Sequence, residues 1–290
     1  DIPETDEAVK QALADLDKLY RVYDELPDPL KIEYHLARGD LIFLGQRAEG
    51  WDHEENHQNV VGHYNNAKEL GHELSDRRVQ WLSETLLALN QADEADAVVE
   101  QAHVDDPLMR QKLKRQTLAA ALEAQGPTEA SFAQLRDFLE IEDLARVHRI
   151  WAVGEQAEFL METGQHDAAA EMLMRWLQRL DFAEQEDLGR LLVLLGEAQL
   201  ALGNRAAAER WLLTARQQLD ASDALNGAAL TALGRVRFEE GNITEAWEYF
   251  SAAVTNFPNT DSFVAALVGK GESEARLGDF GQSLATYEQA

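Results

Sequence analysis

The chain has 290 residues, 45% of them hydrophobic, enough to bury either two ordinary cores or one elongated one. Its 53 acidic residues against 26 basic ones leave a net charge of −27, which disfavours nucleic acid and anionic membranes as partners. There is no cysteine, so disulfides and thiol catalysis are excluded, and the bacterial cytoplasm and periplasm both stay open.

No apolar run is long enough to span a membrane, so no direct membrane insertion is expected. The chain begins at Asp1 with no Met and no signal-peptide pattern, and it stops at Ala290 inside a helical pattern. A soluble piece of a longer protein is therefore the expectation.

In chain order, residues 4–26 carry Val9, Leu13, Leu16, Leu19, Tyr20 and Tyr23 on one broad stripe and predict a helix ended by Pro27 and Pro29. Residues 30–44 predict a second helix, with Leu36, Gly39, Ile42 and Phe43. A polar stretch, 45–56, interrupts. A helix from about His57 to Leu74 then carries Val60, Val61, Tyr64, Ala67 and Leu70. Residues 1–75 thus read as a terminal helix plus a degenerate helix–turn–helix unit with a lengthened turn.

From residue 76 to 290 the units are clearer. Val79, Leu82 and Leu86 precede Ala95, Val99 and Ala102, with Pro107 closing the unit. Residues 110–139 repeat the plan more weakly, with a break at Gly126-Pro127 and Pro127 suited to the first turn of a helix. Stronger units follow: Val153, Ala157 and Leu160 before Ala169 and Leu173; Leu192, Leu195 and Gly196 before Ala208 and Leu212; Leu230, Leu233 and Gly234 before Ala246, Phe250 and Ala253; and Leu267 and Gly271 before Tyr287. Gly164, Gly203, Gly241 and Gly278 punctuate them at intervals of 39, 38 and 37 by subtraction of residue numbers. Thr244 is placed to cap the helix after Gly241. Gly234 costs about 1 kcal/mol against Ala inside a helix, so it makes sense only where a second helix passes closely. The last unit, ending at Ala290, is expected to leave Leu267, Leu284 and Tyr287 partly uncovered and to favour self-association.

The run GAALTALGRVRFEEGNITEAWEYFSAAVTNFPNT, residues 227–260, resembles the tetratricopeptide repeat. Its small and large positions fall on Leu230, Leu233, Gly234, Ala246, Phe250, Ala253 and Pro258, with Arg237 where the family usually has Tyr. The resemblance implies an all-α, right-handed superhelical solenoid of helix–turn–helix repeats. It also implies a concave groove lined by the first helix of each repeat. Groove positions map onto Gln80 and Glu84; Trp151 and Glu158; Arg190 and Glu197; Thr231, Arg235 and Phe238; and Glu272. The Lys and Asn of carboxylate-clamping members are replaced by Glu here, so that mode is not expected and a basic segment is.

One stretch suggests other chemistry. His53-Glu54-Glu55-Asn56-His57 matches the H-E-x-x-H of zinc peptidases, and His63 falls where one branch places a third ligand. That branch needs Gly where Val60 stands, and no apolar stripe runs through the motif. No P-loop, nucleophile elbow or dinucleotide fingerprint is present. The expectation is a non-enzymatic protein–protein interaction scaffold without cofactors that binds a protein or peptide in its groove. The alternatives are a zinc-dependent hydrolase using residues 53–57 and a structural spacer in bacterial envelope or polysaccharide-export machinery.

Overall fold

The structure is a computed structural model, which describes residues 6–47, 53–126, 128–179 and 188–290. Among these residues there are fifteen α-helices, one short 3-10 turn and no strand. The chain divides into two compact units, Asp1–Ser131 and Phe132–Ala290.

The first unit holds α1 (Asp6–Tyr20), α2 (Asp28–Gln46), α3 (Glu54–Glu69), α4 (Asp76–Ala88), α5 (Ala92–Gln101) and α6 (Pro107–Gln125), with the start of α7 (Glu129–Leu139). The first helix is shorter than its apolar stripe predicts. It ends at Tyr20, and Tyr23–Glu25 forms a 3-10 turn before Pro27. Pro29 opens α2, in the first turn, where its missing N–H leaves no bond unmade. The helix expected over 57–74 is α3, displaced toward the N-terminus. It ends at Glu69 because Gly71 turns left-handed, with φ 86°. Gly45 and Gln46 belong to α2, so the polar interruption begins later than its composition suggests. Pro107 likewise opens α6 rather than closing the preceding unit, and Asp106 caps it by accepting from the Leu108 N–H. Pro127 lies outside the described residues.

Hairpin α2–α3 follows the small-against-large plan. A Cβ on Gly39 would stand 2.8 Å from the Tyr64 ring, and the Tyr64 hydroxyl donates to Asp40, which also receives Arg78 from α4. The core joining Leu36, Phe43, Val60 and Tyr64 includes Trp81 and Leu82.

The second unit holds the rest of α7, then α8 (Arg146–Glu162), α9 (His166–Arg179), α10 (Gly189–Ala201), α11 (Arg205–Gln218), α12 (Leu225–Glu239), α13 (Ile243–Asn256), α14 (Phe263–Leu277) and α15 (Phe280–Tyr287). From α8 onward each helix packs on its sequence neighbour. The first helices of successive pairs, α8, α10, α12 and α14, also pack on one another. A single apolar cluster runs from Ile150 to Val236 through Leu173, Leu192 and Leu212.

The turn glycines Gly164, Gly203, Gly241 and Gly278 all take positive φ. In each turn the next N–H reaches back five residues, as in Asn242 N–H to Arg237 C=O at 2.9 Å. Asn90 does the same work between α4 and α5, with φ 58°. Helix α13 begins at Ile243 with Asn242 in the capping position, so Thr244 lies in the first turn and is not the cap. Arg237, at the Tyr position of the repeat, spans hairpins by pairing with Glu209 of α11, Glu240 and Glu245.

Leu267, expected at an open end, is fully buried. Phe280, Leu284 and Tyr287 are the uncovered side chains there, at 72%, 62% and 41% exposure. Helix α15 is tied down by Ser283 Oγ–H to the Gly271 C=O and by Thr286 Oγ–H to Glu274.

Candidate binding groove

Helix periodicity puts residues three and four apart on one face. On α12 that face is Thr231, Arg235 and Phe238, flanked on α10 by Glu197, Leu200 and Ala201 and on α14 by Val268 and Glu272. The helices behind, α11 and α13, supply Leu212 and Phe250, whose bulk fits over Gly196 and Gly234. These small residues let α10 and α12 approach their partners, which aligns their free faces into one wall. The result is a cleft of about 900 Å³, entered also by Met161 of α8, His166 of α9 and the α13–α14 loop at Asp261 and Ser262.

Five of the residues named from the sequence, Glu197, Thr231, Arg235, Phe238 and Glu272, line this cleft. They differ in what they offer. The Thr231 hydroxyl is spent on the Gly227 carbonyl of its own helix, at 2.8 Å. The Arg276 guanidinium sits 5.3 Å from the centre of the Phe238 ring and leaves that ring half-exposed. Arg235 and Glu272 are exposed.

Glu197 is mostly buried, yet it makes no hydrogen bond and no ion pair with any described residue. Burial pushes its carboxyl up to about 7; Arg235 pulls it back down and Glu158 adds to the rise.

The other five expected groove residues, Arg190, Glu158, Trp151, Gln80 and Glu84, are not part of the lining of this cleft. Arg190 is folded over Gly154, where a Cβ would stand 2.9 Å from its guanidinium. It donates to Glu155 and Glu158 at 2.9 and 2.8 Å. Trp151 packs edge-on against Phe138 of α7 and is half-buried, so it serves packing and does not line the cleft. In the first unit, Gln80 donates to Glu84 at 2.7 Å, and Glu84 pairs with Arg47 at 3.0 Å. Asp261, Ser262 and Leu200 were not legible as lining residues. Leu200 carries the face of Glu197 one turn onward, but the two loop residues are brought in only by the packing of α14 on α13.

The H-E-x-x-H stretch opens α3, with His53 exposed in the capping position and Trp51 outside the described residues. His63 does not converge with it. Its Nδ1 lies 2.9 Å from Nδ1 of His35 on α2, and His35 Nε2 lies 2.7 Å from the Tyr23 hydroxyl. Burial first, then His35 and Arg38, push His63 down to about 4. No group of three or more His, Asp or Glu among the described residues is gathered for a metal.

The family described as Tetratricopeptide repeat matches residues 189–214, which are α10, its left-handed turn at Gly203 and most of α11. Those residues carry a tetratricopeptide-type repeat. The fold agrees with the crystal structure of the apo form of RapI, at 14% identity and a TM-score of 0.63, covering 97% of this chain and 80% of that one. The crystal structure of NprR in complex with its cognate peptide NprX aligns at 13% identity and a TM-score of 0.42, covering 97% of this chain and 72% of that one. None of the curated proteins matches the sequence. The repeat fold is therefore carried by helix packing and small-residue positions rather than by a closely related sequence.

Proposed function

We propose that this tetratricopeptide-type protein is a non-enzymatic scaffold that binds an extended or helical segment of a partner in the α8–α14 cleft. The observation that supports it is the lining itself. Apolar contact area at Phe238, Met161, Leu200 and Val268 is interleaved with Glu197, Arg235, Asp261 and Glu272. Such a mixture suits a peptide, whose side chains need pockets and whose charges need partners. Among the described residues of the lining, carboxylates outnumber the one free arginine, Arg235, so the segment is basic. Charges of this kind raise the association rate more than the affinity.

The hydrolase alternative has less support, because His63 is engaged by His35 and does not join His53 and His57. Self-association through the exposed Phe280 and Leu284 of α15 is a separate proposal, checked by sedimentation at several concentrations.

The test is selection of binding peptides from a random library on the full chain. Selected peptides should be rich in Lys and Arg. They should lose about tenfold or more in affinity on Phe238→Ala, since truncating a buried aromatic anchor costs on the order of 2 kcal/mol. Peptides that bind equally well to Phe238→Ala and Glu272→Lys would place the site elsewhere.

A further inference from the structure

We infer that Glu197 seats one cationic side chain of the bound peptide, an arginine or lysine, and that seating it expels a proton from the protein. The inference rests on the α8–α14 cleft being the binding site. A carboxylate withdrawn from water is normally paired or hydrogen-bonded, because burying it alone is costly. Glu197 is largely withdrawn and has neither among the described residues, while it forms part of the wall of a cleft of about 900 Å³. A ligand cation is the group that would complete it.

The other charged groups facing it are accounted for. Glu158 of α8 is held by Arg190 of α10, which also holds Glu155. Glu239 of α12 pairs with Arg205 of α11 at 3.0 Å. Arg235 of α12 acts on Glu197 through space without an ion pair. Asp261 and Glu272 are exposed, and His166 of α9 lines the far side. Among the described residues Glu197 is thus the one half-buried, unspent charge of the cleft. Its carboxyl sits at about 7, so it is half protonated near neutral pH, and a cation that binds the ionised form must displace that proton.

The sign follows. Below about pH 7 binding carries the cost of removing the proton, and above it that cost vanishes. Affinity for a cationic peptide should rise about tenfold from pH 6 to pH 8, the ratio of ionised fractions for a group titrating near 7.

The probe is a pool of N-acetylated, C-amidated dodecapeptides with a fixed central arginine and randomised apolar and polar neighbours. The control is the same pool with citrulline, which keeps the shape and loses the charge. Calorimetry on the full chain in two buffers of different ionisation enthalpy reads the proton release. The expected result is tighter binding of the arginine pool, the tenfold rise with pH and proton release below pH 7. Glu197→Gln should flatten the pH profile and abolish the preference over citrulline, whereas His166→Asn, whatever its affinity, should keep the pH profile.

Arginine-pool binding that is independent of pH, or a preference that survives Glu197→Gln, would overturn the inference and leave the groove reading standing. Loss of the pH profile in His166→Asn would assign it to the histidine and overturn the inference as well. Failure of both pools to bind would overturn the inference and the groove reading together. A carbon-13 titration of the Glu197 carboxyl in the free chain gives an independent check, and a midpoint near that of exposed glutamates would overturn the inference.

Discussion

The ring of Phe250 on α13 occupies the space that a Cβ on Gly269 of α14 would need, 2.5 Å away. The same ring covers Gly234 of α12, where a Cβ would stand 2.7 Å from it. One aromatic side chain therefore fixes three helices, and it does so directly behind the cleft wall. Gly234→Leu and Gly269→Ala should each destabilise the second unit by about 1–3 kcal/mol through overpacking. Thermal melts followed by circular dichroism test this, and an unchanged midpoint for either variant would show that the ring does not bear on that glycine.

Glu274 is only 3% exposed and gathers three partners. Trp247 Nε1–H donates to it at 3.1 Å, Thr286 Oγ–H at 2.7 Å, and Lys270 Nζ lies at 3.5 Å. It thereby links α13, α14 and α15. Glu274→Ala strands all three groups and should cost about 3–5 kcal/mol. Amide exchange in α15 should accelerate in that variant. Equal exchange rates in wild type and variant would mean that α15 is held by Ser283 and apolar contacts alone.

The half-buried Glu197 carboxyl makes stability depend on pH in a defined direction. Its folded value, about 7, lies above its unfolded value of 4.5, so the folded state binds the proton more tightly. A stability cost therefore develops as pH rises from about 4.5 to about 7 and stays constant above. Glu197→Gln should be near neutral at pH 5 and stabilising by about 1–3 kcal/mol at pH 8. Urea denaturation at the two pH values measures the difference, and no gain at pH 8 would contradict the placement of this side chain.

His63 gives the opposite window. Its folded value, about 4, lies below the unfolded 6.5, so the unfolded chain takes up the proton first. The first unit should lose about 1–3 kcal/mol as pH falls from about 6.5 to about 4, with His35, also pushed down by burial, adding to the loss. His63→Gln can still hydrogen-bond His35 and should weaken the acid sensitivity. An acid unfolding profile identical to wild type would show that the His35–His63 pair does not carry it.

The repeat plan was legible because it is written in local terms. A small residue on one helix and a large one on the next, nine residues beyond a left-handed glycine, are visible at fixed spacing, as in Gly234, Gly241 and Phe250 or Gly196, Gly203 and Leu212. Where another residue type did the same work, the signal was lost: Asn90 makes the left-handed turn that Gly makes elsewhere. Helix ends were the least legible part. Pro29 and Pro107 stop a helical pattern when read from one side and start one when read from the other, and only the backbone chose.

The sequence by itself determined the helical repeat, the acidic surface and the face of α12 that carries Thr231, Arg235 and Phe238, since these depend on composition and on a period of 3.6 residues. Tertiary structure decided which of the candidate charges remain unspent. Arg190 and Glu158 neutralise each other, and Glu84 is taken up by Gln80 and Arg47. Trp151 is turned onto Phe138, and His63 onto His35. Glu197, identical in the sequence to any other glutamate, is left half-buried and without a partner among the described residues. The physical reason is that burial and pairing are set by residues some thirty positions away, on the next helix pair, and no local spacing records how those pairs meet.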